Sequence, residues 1–212
     1  MVETTTVAPN APAAKQPKVQ SPVQEIINYI SQFMPLSEAE ALEIASTIKF
    51  KSFEKGAHLI KEGQVSKLCY FVLKGCVRQY YLVDGEEKTT NFFTEGQPVT
   101  AYEGTYKRKA SKFYLSCLED TIVTIGSPED EAAFFQKFPR LEPASRMAVE
   151  EELGKSQGML SSYILSSPEE RYLNLLKTRP DLLDRVPQYQ LASYLGITPE
   201  SLSRIRKRIT LK

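Results

Sequence analysis

The sequence is poor in the side chains from which metal centres and nucleophilic catalytic sites are built. It has one histidine, His58, and three cysteines, Cys69, Cys76 and Cys117. No CxxC pair occurs, and His58 has no partner at metal-ligand spacing, which excludes a structural zinc site and a metalloenzyme needing several His and carboxylate ligands. One histidine at the start of a strand cannot complete a nucleophile–His–acid set either, so the chain reads as a non-enzyme with no cofactor and no metal. The odd cysteine count argues against a disulfide framework and for free thiols in a reducing cytoplasm. No apolar run approaches the roughly 18 to 20 residues of a membrane span. The first 20 residues lack the basic and apolar regions of a secretory signal. With Pro9, Pro12, Pro17 and Pro22, the segment 1–22 reads as a disordered tail.

Net charge is nearly absent as well, at +1 over 212 residues, so the chain as a whole does not advertise a polyanion partner. Its distribution is uneven. Residues 168–212 hold nine Lys/Arg against five Asp/Glu, and residues 1–167 hold the remaining 18 and 21, giving +4 and −3. A basic end on an acidic body fits a DNA-contacting module, and also fits ordinary surface charge.

Hydrophobic patterning divides the chain. Ile26, Ile27, Ile30, Phe33 and Met34 recur at helical spacing until Pro35, and Ser37 with Glu40 forms a capping box for a second short helix. From about residue 50 to 127, short apolar segments alternate with turn signals such as Lys74-Gly75, Asp84-Gly85, Glu95-Gly96 and Glu119-Asp120. That rhythm predicts a β-barrel or sandwich. Its clearest hairpin runs out through 77–83, turns at Asp84-Gly85 and returns through 88–93, since Asp-Gly favours a type I′ turn. Ser127 and Asp130 start a helical stretch that Pro139 and Pro143 divide. Over 143–165, Val149, Leu153, Ser156, Leu160 and Tyr163 recur at 4, 3, 4, 3 spacing, a heptad seam suited to a dimer helix or to packing on the chain's own sheet. Pro168 restarts a helix whose Tyr172, Leu175 and Leu176 face inward and which Pro180 ends.

The segment 188–207 carries the strongest signal. Leu191, Leu195, Ile197, Leu202 and Ile205 form the shared core of two helices crossing steeply, and small Ala192 lets them approach. Gly196 permits the left-handed turn between them, Thr198 is a good N-cap, and Pro199 suits the first helical position. This is a helix-turn-helix. A hairpin that merely packs in a core would not need polar Glu200, Ser203 and Arg204 on the outer face of its second helix. In a major groove, a glutamate accepts from cytosine N4 and an arginine pairs with guanine O6 and N7. Glu200 and Arg204, at i and i+4, share one face, and Glu200 is expected to orient Arg204. Ser201 and Ser203 are further contact candidates. Arg206, Lys207, Arg208 and the helix amide ends at Gln188 and Thr198 are expected on phosphates.

Helical lead, Gly-punctuated barrel, heptad helix and the stretch from Leu191 to Arg204 together resemble the Crp/Fnr family of bacterial transcription regulators, over about residues 24–210. The Glu200, Ser203, Arg204 arrangement looks more like the Fnr-type reading head. The resemblance implies an α+β chain: a cyclic-nucleotide-binding-like jelly roll with flanking helices (23–142), a dimerisation helix (143–165) and a winged helix-turn-helix domain (166–212). It also implies a cytoplasmic homodimer on double-stranded DNA, with RNA polymerase as a candidate partner and no membrane association. The family's phosphate cassette is degraded here. No Gly-Glu pair opens it, and its arginine position falls near Ser111, so the bidentate phosphate clamp is missing and cyclic AMP is not the expected effector. Tyr102, Lys107, Arg108 and Ser111 mark the remaining effector pocket; with Lys109 and Lys112, the cations there suit either an anion site or a solvated loop. The cysteine cluster of an Fnr-like iron–sulfur sensor is absent before Cys69. The alternative function is a signalling module that senses a cyclic nucleotide or other small anion and acts through protein contacts.

Overall fold

The computed structural model of the chain describes residues 22–100, 104 and 107–210. Tyr102 and most of the 1–22 tail lie outside them. Helices α1 (Pro22–Phe33) and α2 (Glu38–Thr47) lead in, and the Ser37–Glu40 capping box forms as the sequence predicts. Eight strands follow among the described residues: β1 (Phe50–Phe53), β2 (His58–Ile60), β3 (Cys69–Lys74), β4 (Val77–Val83), β5 (Glu86–Phe93), β6 (Pro98–Thr100), β7 (Tyr114–Cys117) and β8 (Thr121–Gly126). They make two four-stranded antiparallel sheets, ordered β1-β8-β3-β6 and β2-β7-β4-β5. This is a jelly-roll sandwich. Alternate residues point inward, so Ile60, Val72, Val77, Val99, Leu115 and Val123 fill the space between the sheets. Ile27, Ile44, Phe138 and Leu141 form a smaller core under the helical lead.

The β4–β5 hairpin turns on two residues, with Asp84 at φ 52° and Gly85 at φ 80°, as a type I′ turn requires. Its return strand starts two residues earlier than the sequence indicates. Glu86 and Glu87 are exposed and carry no apolar signal, yet they pair with Val83 and Leu82 because the tight turn leaves no slack.

The rest is helical: α3 (Pro128–Lys137), a 3-10 turn (Pro139–Leu141), α4 (Glu142–Leu165), α5 (Pro168–Thr178), α6 (Leu182–Arg185), α7 (Gln188–Tyr194) and α8 (Pro199–Thr210). Serine caps begin α3 and α5 through Ser127–Asp130 and Ser167–Glu170 boxes, each with proline next in line. On α4, Ala144 and Ala148 are buried, while Val149, Leu153 and Leu160 are 66%, 58% and 61% exposed. The heptad seam therefore faces away from the chain's own sheets. All strands among the described residues precede Ser127, so the unit after α4 is all-helical there and lacks the wing that the resemblance implies. α6 occupies the connection between α5 and the motif. A third core joins this unit to the barrel: Tyr172, Leu175, Leu182, Leu191, Leu202 and Ile205 pack with Cys76 and Phe92.

Candidate nucleic-acid interface

Helices α7 and α8 bury Leu191, Ala192, Leu195, Leu202 and Ile205 between them and α5, with Ile197 half-buried at the edge. The turn is a Schellman closure: the Ile197 N–H donates to the Ala192 carbonyl and the Gly196 N–H to the Ser193 carbonyl. Gly196 sits at φ 69°, and a Cβ built there would lie 2.1 Å from the Tyr163 hydroxyl. Glycine suits the left-handed conformation, and a larger residue would also displace the Tyr163 hydroxyl. Thr198 Oγ1 accepts from the Ser201 N–H at 3.3 Å and caps α8.

Glu200, Ser203, Arg204, Arg206, Lys207 and Arg208 are all exposed along α8, and Ser201 is half-buried. The Glu200 carboxyl is held below its ordinary value, first by its own backbone N–H at the helix start, then by the Thr198 hydroxyl and the Arg204 charge. It is ionised at neutral pH and acts only as an acceptor, the state needed to read an amino group. Arg204 also donates to Ser201 Oγ at 3.1 Å, one turn back. Two expected phosphate contacts also hold intramolecular partners. Arg206 donates to Gln188 Oε1 at 2.6 Å and ties α8 to the start of α7, while Arg208 pairs with Glu169 on α5. Lys207 is exposed beside them.

Along α4, Val149, Leu153, Ser156 and Leu160 form one exposed stripe. Tyr163 departs from it. Its ring lies under the Arg171 guanidinium, 4.5 Å from ring centroid to Cζ, and its hydroxyl covers Gly196. Arg171 also donates to the carbonyls of Tyr163, Ser166 and Leu195 at 3.2, 2.8 and 3.1 Å. Tyr163 belongs to the joint between α4 and the motif, a role its heptad spacing does not reveal.

Of the expected effector residues, Tyr102 lies outside the described residues. Ser111 is buried, and its hydroxyl donates to the Phe113 carbonyl at 2.8 Å. Lys107 and Arg108 are exposed on the loop before it. His58 is half-buried, with Nε2 3.2 Å from the Tyr80 hydroxyl and its ring edge on Tyr114. Burial, then the Lys61 charge, pushes its pKa down, which favours the neutral ring in a packing role. No group of three or more potential metal ligands occurs among the described residues, and no helix there is long and apolar enough to cross a membrane.

Sequence reading missed the seam between barrel and motif. Ser193 Oγ accepts from the Thr89 N–H at 2.9 Å and donates to the Glu87 carbonyl at 3.1 Å. Arg179 reaches the Phe92 carbonyl and Thr94 Oγ1 at 3.4 and 3.0 Å. Arg185 forks onto both oxygens of Glu95 at 2.8 and 2.9 Å and also onto Glu119. Burial raises the Glu95 pKa, but bonds from Arg185 and the Gly75 N–H outweigh it and hold the carboxyl below its ordinary range. Phe92 packs edge-to-face on Tyr194 at 5.3 Å in the middle of this ring.

Residues 50–137 match the cyclic nucleotide-binding domain family. Comparison with curated proteins finds no match. Among solved structures, a CooA mutant from Carboxydothermus hydrogenoformans aligns over 91% of this chain and 85% of its own, with TM-score 0.64 and 16% identity. The c-di-GMP responsive global regulator CLP from Xanthomonas campestris aligns over 78% and 88%, with TM-score 0.61 and 18% identity. The catabolite activator protein of Thermus thermophilus aligns over 90% and 87%, with TM-score 0.51 and 19% identity. The chain therefore shares the fold of these Crp/Fnr-type structures, with its cyclic nucleotide-binding domain match confined to residues 50–137.

Proposed function

We propose that this chain is a homodimeric, sequence-specific DNA-binding regulator of the Crp/Fnr type, with no enzymatic activity. The observation that carries the reading is the outer face of α8. Glu200, Ser203 and Arg204 stand in solvent on a helix whose inner face is fully committed to the core. Such a face costs nothing to leave bare and offers an acceptor and a bidentate donor to base edges. Lys207, with Arg206 and Arg208 once they exchange protein partners for phosphates, supplies positioning charge; Gln188, Thr198 and Ser201 border the same surface.

The units act in order. Residues 23–142 form the sensor, 143–165 the dimer helix and 166–212 the DNA-binding unit. The exposed stripe of Val149, Leu153, Ser156 and Leu160 pairs with the same stripe of a second copy, and the two recognition helices then sit roughly 34 Å apart. Cyclic AMP is not the effector, because the cassette lacks its arginine and the Ser111 hydroxyl is already bonded. Three free cysteines, two of them buried, suit a cytoplasmic protein.

Anisotropy and sedimentation with labelled duplexes test this reading. Two chains should bind each operator-length duplex, with affinity falling steeply as salt rises. No binding at low salt, or one chain per duplex, overturns it.

A further inference from the structure

The seam between barrel and helix-turn-helix has the build of an interface. Cys76, Phe92 and Tyr194 form an apolar centre. Around it run Arg179 to Thr94, Ser193 to Thr89 and Glu87, and Arg185 to Glu95 and Glu119. Beneath the Ser193 contact, Arg78 is 3% exposed, donates to Thr89 Oγ1 at 2.9 Å, pairs with Glu87, and lies 4.4 Å from the Tyr80 ring centroid. The strand that receives α7 is therefore braced from within its own sheet. Glu95 is braced too, since Oε1 accepts from the Gly75 N–H at 2.7 Å as well as from Arg185.

We propose that Arg185 is a positioning residue for DNA reading: by bridging Glu95 and Glu119 it clamps the motif onto the barrel and fixes the aim of α8 without any bound ligand. The inference rests on the DNA-binding reading and adds a second route to it. A position set only by α4 would leave the barrel in touch with the motif through one helix. The clamp joins them directly, through residues 66 and 90 positions apart. The two barrel carboxylates share one guanidinium, so removing Arg185 releases both contacts at once and leaves two partly buried carboxylates without their cation.

Cys76 is fully buried in the shared core, close enough to the clamp to feel the charges of Arg185, Glu119 and Glu95, and serves as a reporter. In full-length Arg185→Gln, maleimide labelling of Cys76, located by peptide mapping, should accelerate about tenfold or more. Affinity for a duplex with two half-sites, taken from selection of bound sequences, should fall about tenfold, with half-site affinity unchanged. Arg185→Lys, which keeps the charge without the fork, should lie between, and the milder Glu119→Gln should move both readouts the same way. Unchanged Cys76 protection overturns the clamp. Equal losses on half-site and full-site duplexes overturn the positioning role, because they indicate damage to the motif itself. If the wild-type chain binds neither duplex, the positioning role fails with the DNA-binding reading. Faster Cys76 labelling in the variant then locates the failure in that reading rather than in the clamp.

Discussion

Two arginine-rich regions of this molecule use the same side chain in opposite ways. On α8, Arg204, Arg206 and Arg208 stand in solvent and hold partners at the protein surface. At the barrel, Arg78 is buried and Arg185 retains 23% of its side-chain exposure, each locked on carboxylates. The first set can be handed to another molecule at little cost, because exposed pairs contribute about 0 to 1 kcal/mol. The second cannot, because a buried cation left without its carboxylate is strongly destabilising. Charge count alone does not separate a recognition surface from an internal fastener; what each guanidinium already holds does.

Breaking the recognition side at its source should give the largest effect. Leu153→Asp with Leu160→Asp places four carboxylates in the paired stripe of a dimer. Sedimentation should find monomers, and two-half-site affinity should fall about 100-fold, the avidity lost with the second head. A surviving dimer puts the interface elsewhere. On the fastener side, Gly75→Ala should be the costliest single change. Gly75 lies at φ 106°, and a Cβ there would come within 2.7 Å of Thr121 Cα and 2.9 Å of the Asp120 carbonyl. The clash is with backbone, so a loss of about 3 kcal/mol in denaturant unfolding is expected.

Gly196→Ala should cost less, about 1 to 2 kcal/mol, because its closest neighbour is the movable tip of Tyr163 and the rest is φ strain. Adding Tyr163→Leu should recover part of the loss. No recovery would show that the close approach carries no constraint. The smallest effect concerns pH. The Glu95 carboxyl is held below its ordinary 4.5, so the clamp's contribution is full above that range and disappears as pH falls through the lowered value. The difference in melting temperature between wild type and Glu95→Gln should be constant near neutrality and shrink below about pH 4.5. A difference that persists in acid contradicts the charged form of the clamp.

Legibility followed the range of the contacts. The caps at Ser37, Ser127 and Thr198 each act within one helical turn, and all three form. The Asp84-Gly85 turn and the motif core at Leu191, Leu195, Leu202 and Ile205 are likewise set within about 20 residues. The misses share the opposite property. Arg185 meets Glu95 and Glu119 across 90 and 66 residues, and no spacing rule links a helix-end arginine to two turn carboxylates. Tyr163 fits the heptad perfectly and still turns toward Gly196, since periodicity assigns a side and not a partner. The wing came with the family resemblance and had no support in the local pattern of 166–212.

The central claim is that α8 reads bases through Arg204, and selection from a random duplex pool with wild type and Arg204→Ala in parallel tests it most directly. Wild type should enrich a two-fold symmetric site with half-sites roughly 34 Å apart. The variant should lose information at one position in each half, cost about 1 to 3 kcal/mol on the wild-type site, and melt at the wild-type temperature. An unenriched wild-type pool, or an identical site from both proteins, would contradict the account.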